Sequence, residues 1–185
     1  MINSKTEEKI ILGVDPGTQI MGYGVILVVK SKISILQYGV INLKSYSDHK
    51  VKLEKIYKRI TSLIEEFSPD EMAIEEPFFG KNVQSMLKLG RAQGVAMAAA
   101  LSKQIPIVEY SAKKIKQSIT GNGNASKEQM AAMIIKEYKL EENPEFLDAT
   151  DALCIALCHH YQQGNNKSQK VSWDKFIIQN PNRIK

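Results

Sequence analysis

Acidic side chains interrupt apolar stretches of this sequence at three separate places. Asp15 ends a run of Ile, Leu and Val, Glu75 and Glu76 end a second short apolar run, and Asp148 and Asp151 open a third. The i, i+3 spacing of the last pair puts both carboxylates on one face of a helical turn. Because burying an unpaired carboxylate is costly, a cation is expected to compensate such a cluster, and hard oxygen ligands suit Mg²⁺ or Mn²⁺.

Each of these acids also has a purely structural interpretation. Asp15 precedes a Pro-Gly pair and could be a turn residue, while Asp148 could be a helix cap and Asp151 an acid favoured by the helix dipole. That explanation has to hold independently at all three places, so the pattern favours a metal site. Only one of Glu75 and Glu76 can face the site, since strand side chains alternate, and the spacing does not choose between them.

Hydrophobic periodicity predicts the elements that must position these acids. Apolar runs rich in β-branched residues predict strands, and apolar residues at helical spacing predict helices. Strands are predicted over 9–15, 22–30, 33–43, 71–76 and 105–109, and helices over 50–67, 82–103, 111–119, 126–139 and 145–161. This order predicts an α/β layered fold whose sheet has an antiparallel edge.

The length of 185 residues predicts one domain over 1–163, followed by a polar, basic tail over 164–185 with Trp173 and Phe176 as candidate anchors. No apolar run reaches about 18 residues and the first residues resemble no secretory signal, so neither a membrane span nor secretion is expected. Two cysteines, Cys154 and Cys158, are expected to be reduced core residues of a cytoplasmic protein rather than zinc ligands.

Positive charge is concentrated in the middle of the chain. The whole chain has a net charge of +5, but residues 77–127 alone carry eight basic side chains against one acidic side chain, a net charge of +7. A one-sided field of this kind predicts a polyanionic partner, nucleic acid above all. The eight basic residues are Lys81, Lys88, Arg91, Lys103, Lys113, Lys114, Lys116 and Lys127.

Five segments occur in an order that resembles the RuvC family of Holliday junction resolvases, and the similarity spans about residues 9–162. They are Ile-Leu-Gly-Val-Asp-Pro-Gly-Thr at 11–18, Gly-Tyr-Gly-Val at 22–25, Ala-Ile-Glu at 73–75, Leu-Lys-Leu-Gly-Arg-Ala-Gln-Gly-Val-Ala at 87–96 and Asp-Ala-Thr-Asp-Ala-Leu at 148–153. The resemblance implies a ribonuclease-H-like fold, with a mixed five-stranded sheet of three antiparallel and two parallel strands flanked by helices.

The resemblance also implies a homodimer that nicks four-way junction DNA with two Mg²⁺ ions per subunit, which Mn²⁺ can replace. The family's four acidic ligands match Asp15, Glu75, Asp148 and Asp151, so that Glu75 is implied over Glu76 by resemblance. Such a site implies two-metal phosphodiester hydrolysis, with ions about 3.5–4 Å apart. Its products carry 5′-phosphate and 3′-hydroxyl ends.

Contacts to DNA are implied in part by the resemblance and in part by charge. The family's base-contacting aromatic matches Phe78, with its neighbour as the alternative, and its basic cleft matches two lysines, of which Lys127 is also the candidate stabiliser of charge on the reacting phosphate. The RuvA–RuvB branch-migration complex is the implied protein partner. The expected DNA-contacting residues are Phe78, Phe79, Lys81, Arg91, Lys116 and Lys127.

Several alternatives stay open at this stage. The chain could be another ribonuclease-H-like nuclease or a non-catalytic junction-binding protein. An actin-like or sugar-kinase ATPase shares the Asp-Pro-Gly-Thr turn, but such enzymes need a much longer chain. The Ala-rich helix predicted over 82–103 is the candidate dimer contact, and burial of its small residues in the core is the equal alternative.

Overall fold

The computed structural model describes residues 8–77, 82–140 and 147–168. Within them the chain forms five strands and five helices, close to the predicted order. The strands are β1 (Glu8–Asp15), β2 (Ile20–Val29), β3 (Lys32–Asn42), β4 (Glu71–Glu75) and β5 (Ile107–Tyr110); the helices are α1 (His49–Phe67), α2 (Val83–Ser102), α3 (Ala112–Thr120), α4 (Lys127–Tyr138) and α5 (Leu147–Ser168).

The strands form one mixed sheet in the order β3-β2-β1-β4-β5. Strand β2 is antiparallel to both of its neighbours, β1 and β3, while β1, β4 and β5 run parallel to one another. Lys30 and Ser31 connect β2 to β3 with φ angles of 46° and 68°, the left-handed pair that a two-residue hairpin turn requires. The prediction of three antiparallel and two parallel strands flanked by helices is confirmed.

Helices cover both faces of the sheet and enclose two hydrophobic cores. On one face α1 and α2 pack against the sheet through Ile56, Ile60 and the small residues of α2, and on the other face α3, α4 and α5 pack through Ile115, Met130 and a long apolar stretch of α5. The side chains of Cys154 and Cys158 are fully buried in this second core as free thiols, as predicted. None of the helices in the described part of the chain has the length and apolar character needed to cross a membrane.

The Ala-rich helix α2 buries its small residues in the first core. Ala92, Ala96, Ala99 and Ala100 are inaccessible to solvent, which favours the core interpretation for this face of the helix. A different face of the same helix is exposed and carries large apolar side chains at Val83, Leu87 and Leu101.

Helix α5 is longer than predicted. It continues to Ser168, whereas the sequence predicted an end near residue 161. The side chain of Gln163 bonds to Lys9 and Glu71 across the end of the sheet, so tertiary contacts hold a stretch whose polar composition resembles a loop. The predicted domain boundary at residue 163 therefore falls inside a helix and stays a prediction. Trp173 and Phe176 lie outside the described residues.

Close packing of α5 on β1 and β2 depends on glycine. A Cβ atom built on Gly22 would lie 2.0 Å from the backbone oxygen of Asp148, and one built on Gly13 would lie 2.2 Å from the backbone oxygen of Ala152. No side chain fits into either gap, so the backbone of α5 approaches the sheet directly. This approach brings the first turn of α5 beside the end of β1.

We expect Gly22→Ala to destabilise the fold and to displace the start of α5. The added methyl group meets backbone rather than a flexible side chain, and overpacking of this kind costs about 1–3 kcal/mol. The free energy of unfolding, measured by urea denaturation, should fall by that amount. Gly90→Ala is the comparison variant: a Cβ at Gly90 meets nothing within 4 Å, and alanine is favoured over glycine inside a helix, so this change should not lower the free energy of unfolding. An unchanged stability of Gly22→Ala would contradict the close-packing argument.

Candidate metal centre

Three aspartates from two elements converge at the carboxyl end of β1. Asp15 is the last residue of β1, and Asp148 and Asp151 lie on the first turns of α5. One carboxylate oxygen from each of the three lies within 4.8 Å of the others. The i, i+3 spacing on α5 and the glycine-dependent approach of that helix together produce the cluster.

The carboxyl group of Asp15 lies in the least favourable environment for a charge. Burial, followed by the nearby charge of Glu75, raises its pKa from 3.8 to about 8. Lys127 acts in the opposite direction but does not cancel these two effects. In the described part of the chain, no hydrogen-bond donor contacts the Asp15 carboxylate. A divalent cation would supply the missing compensation.

Glu75 lies beside the three aspartates rather than inside the 4.8 Å cluster. It ends β4, the parallel neighbour of β1, and its carboxyl group is half-buried, whereas Glu76 is exposed. Burial raises the pKa of Glu75, and the positive charge of Lys127 lowers it. Because side chains alternate at this strand end, Glu75 faces the aspartates and Glu76 faces solvent. The sequence pattern alone could not choose between the two.

Lys127 faces the acids from the first position of α4. Ser126 and Gln129 form a capping box that starts the helix at this residue. The Lys127 ammonium donates a hydrogen bond to Asp151 Oδ2 at 2.5 Å, and half of the lysine side chain stays exposed. Burial lowers the pKa of Lys127, but the hydrogen bond to Asp151 and the surrounding carboxylates outweigh it and raise that pKa overall.

The other predicted contact residues are distributed around this centre. Lys116, on α3, is half-buried and close enough to Glu75 and Asp151 for its charge to lower the pKa of both. Arg91 is exposed on α2. Burial lowers the pKa of His49 at the start of α1, and the positive charge of Arg91 lowers it further. Phe78, Phe79 and Lys81 lie outside the described residues.

The turn after Asp15 is held by a buried lysine that the sequence interpretation missed. Lys52 of α1 is only 6% exposed, and its ammonium donates hydrogen bonds to the backbone oxygen of Thr18 at 3.0 Å and to Gln19 Oε1 at 3.1 Å. The signal was available, because Lys52 precedes Ile56 and Ile60 at helical spacing and so lies on the apolar face of α1. It secures the turn that follows the central acid.

Gln93 of α2 is a second missed residue, and it acts on the end of β4. Its side-chain amide is buried and donates to the backbone oxygen of Glu75 at 3.3 Å and to Glu109 Oε2 at 3.0 Å. A lone glutamine among alanines, on the face that α2 buries, was the available signal. The amide fixes the strand end that carries Glu75.

The donor set fits a hard divalent cation. It contains carboxylate oxygens only, from Asp15, Asp148 and Asp151 with Glu75 beside them, which is the chemistry that Mg²⁺ and Mn²⁺ prefer. The basic side chains of Lys116 and Lys127 lie at the rim, where an anionic substrate could reach them. Such an arrangement can bind a phosphodiester next to a metal ion.

Comparisons with known proteins agree with this chemistry. A sequence profile of the family described as "Crossover junction endodeoxyribonuclease RuvC" matches residues 11–159. A protein of that description from Cytophaga hutchinsonii is 61% identical over 181 residues, covering 98% of this chain and 90% of the relative. Another from Pseudoalteromonas translucida is 46% identical over 156 residues, covering 84% and 88% respectively.

Solved structures are similar as well. The structure described as "T. thermophilus RuvC in complex with Holliday junction substrate" aligns with a TM-score of 0.77 and 30% sequence identity. The alignment covers 85% of this chain and 96% of that chain. The likeness therefore extends over most of the chain.

Proposed function

The chain belongs to the RuvC family of crossover junction endodeoxyribonucleases, and from this premise we propose that it resolves four-way DNA junctions. Two strands of the junction are nicked symmetrically, in homologous recombination and DNA repair. The observation that carries the proposal is the convergence of Asp15, Asp148 and Asp151, with Glu75 beside them and Lys127 facing them. A junction-binding protein without activity would gain affinity for phosphates by losing these carboxylates.

In this proposal the four acids hold two Mg²⁺ ions, with Asp15 as the central ligand. When bound, such ions supply Lewis-acid activation of an attacking water and of the scissile phosphodiester. Lys127 donates from the rim towards charge that develops on the phosphate, and Lys116 binds the backbone next to it. The products carry 5′-phosphate and 3′-hydroxyl ends.

The remaining contacts of the proposal follow from charge and resemblance. Arg91 and Lys81 bind phosphates flanking the scissile position, and Phe78 or Phe79 contacts an unstacked base. The RuvA–RuvB complex is the partner proposed from the family, and the cytoplasm is the proposed compartment, where free thiols such as Cys154 and Cys158 are stable.

Symmetric nicking requires two active sites related by a two-fold axis, and we propose that α2 forms the dimer contact. Val83, Leu87 and Leu101 are exposed on this helix, and on the same side a Cβ built at Gly90 or Gly94 meets nothing within 4 Å. These positions follow one another at spacings of three, four or seven residues and so form one face. Another helix can approach that face closely at the glycines and bury the apolar side chains.

We expect Leu87→Lys to weaken the dimer and with it paired cleavage. Leu87 is 51% exposed, so the change leaves the subunit folded while it places a charge in an apolar contact. Light scattering coupled to gel filtration should show a monomer at concentrations where the unchanged protein is a dimer. Tyr57→Lys on α1, at 43% exposure, is the matched control; a monomer in both variants, or a dimer in both, would contradict the assignment of α2.

The test of the proposed function is strand-specific cleavage of a synthetic mobile four-way junction in Mg²⁺, beside linear duplex and an RNA–DNA hybrid. Paired symmetric nicks on the junction alone are expected. Cleavage of the hybrid instead would move the chain to another ribonuclease-H-like activity. Binding without cleavage in Mg²⁺ and in Mn²⁺ would leave only a junction-binding protein.

A further inference from the structure

A groove between the edge strand β3 and the end of α4 has no assigned role. It has a volume of about 470 Å³ and is lined mainly by apolar and aromatic residues. Ile33, Ile35, Tyr138 and Leu140 line it while packing only partly against the second core, and Leu36 at its rim is 39% exposed. Grooves of this composition bind apolar side chains.

The groove lies at the end of the molecule opposite the acids. Helix α4 begins with Lys127 beside the acids and ends at Tyr138 in the groove, a distance along the helix of about 17 Å. A segment that binds in the groove therefore leaves the acid cluster open. Its role would be independent of the phosphodiester chemistry.

We propose that the chain's own C-terminal segment, residues 169–185, occupies this groove. In this proposal Trp173 and the apolar residues after it bind between β3 and α4. The segment is basic overall, yet five of the eight residues from 171 to 178 are large and apolar. They are Val171, Trp173, Phe176, Ile177 and Ile178. Burial of these side chains in an apolar groove is more favourable in free energy than their exposure to solvent.

The position of α5 places the start of this segment within reach of the groove. The hydroxyl groups of Tyr138 and Tyr161 lie 3.4 Å apart, so α5 passes beside the groove at Tyr161. From Tyr161 the helix continues for about 10 Å to Ser168, and the five residues from there to Trp173 span up to about 17 Å. Trp173 can therefore turn back and reach the groove.

The segment is also shared with a close relative. The alignment with the Cytophaga hutchinsonii protein covers 181 of the 185 residues, and so it extends through most of the segment. Intramolecular binding, rather than binding of an unrelated partner, suits a segment that every copy of the chain carries at high effective concentration.

Trp173 is the only tryptophan of the chain, which makes its fluorescence a direct reporter. In the full-length protein we expect a blue-shifted emission maximum and weak quenching by acrylamide, compared with the chain unfolded in guanidinium. Leu36→Lys at the groove rim should shift the maximum to the red and raise the quenching constant towards the unfolded value. Leu140→Lys, at the other side of the groove, should do the same.

The matched control is Met133→Lys, which changes a 44% exposed residue of α4 that does not line the groove. It should leave the emission unchanged, and circular dichroism should show all three variants folded. Trp173 quenched as in the unfolded chain, or protected but unaffected by both groove variants, would overturn the proposal. Protection lost on dilution would also overturn it, because the groove would then bind the segment of a second copy.

Discussion

Asp15→Asn should abolish junction cleavage, with a loss of about 10³-fold or more, while junction binding persists. The change keeps the shape of the side chain but removes the charge of the central ligand, and metal ions contribute several kcal/mol to such reactions, each 1.4 kcal/mol being about tenfold in rate. Affinity for the junction, measured by electrophoretic mobility shift without divalent cations, should stay equal or rise because a negative charge near the phosphates is lost.

The matched control for this change is Asp70→Asn. Asp70 is exposed at the opposite end of β1, where its carboxylate accepts a hydrogen bond from the backbone nitrogen of Ile10 at 2.8 Å. The same loss of charge there should leave the cleavage rate within about twofold, since surface changes away from a site are small. Normal cleavage by Asp15→Asn would remove the acid cluster from the mechanism.

The raised pKa of Asp15 adds a second readout that does not depend on activity. In the unfolded chain this group loses its proton near pH 3.8, whereas in the folded chain it keeps the proton to about pH 8. The folded state therefore binds more protons in that window, and the free energy of unfolding of the metal-free protein should fall as pH rises through it. Asp15→Asn should flatten this decline, and so should Mg²⁺, because the ion favours the deprotonated carboxylate.

The parts of the fold that follow local patterns could be predicted from the sequence. Helix α1 was predicted over 50–67 and is found at His49–Phe67, because its apolar residues recur strictly at helical spacing. The acids at the ends of β1 and β4 could be predicted as neighbours, because the carboxyl ends of adjacent parallel strands meet at one edge of the sheet. This prediction requires only that β1 and β4 run in the same direction.

The remaining features depend on contacts between distant parts of the chain. Strand β5 was predicted over 105–109 and is found at Ile107–Tyr110; its place in the sheet depends on pairing with β4, which begins at the hydrogen bond from the Met72 backbone nitrogen to the Pro106 backbone oxygen. The extension of α5 past residue 161 includes Gln163, whose side chain contacts Glu71, 92 residues away in sequence. No local pattern carries such information, and the same holds for the role of Lys52 at the turn after Asp15.

Lys127→Met should lower the maximal rate of junction cleavage while it lowers the Mg²⁺ concentration needed for half of that rate. Removal of a positioned donor that stabilises charge in the transition state typically costs about 10²–10³-fold. In the metal-free protein, however, the Lys127 ammonium contacts Asp151 and so competes with a cation for this carboxylate. Loss of the lysine should therefore strengthen Mg²⁺ binding. The same substitution thus lowers the cleavage rate and raises the affinity for the metal.

This opposition separates a role in catalysis from a role in holding Asp151 in place. A lysine that only orders Asp151 would weaken metal binding when it is removed, so a higher Mg²⁺ requirement in Lys127→Met would contradict the assignment. Lys127→Arg, which keeps the charge and a donor, should recover part of the rate. Lys136→Met, at the exposed far end of the same helix, should change neither quantity, because its charge lies about 13 Å along α4 from Lys127 and is screened by salt.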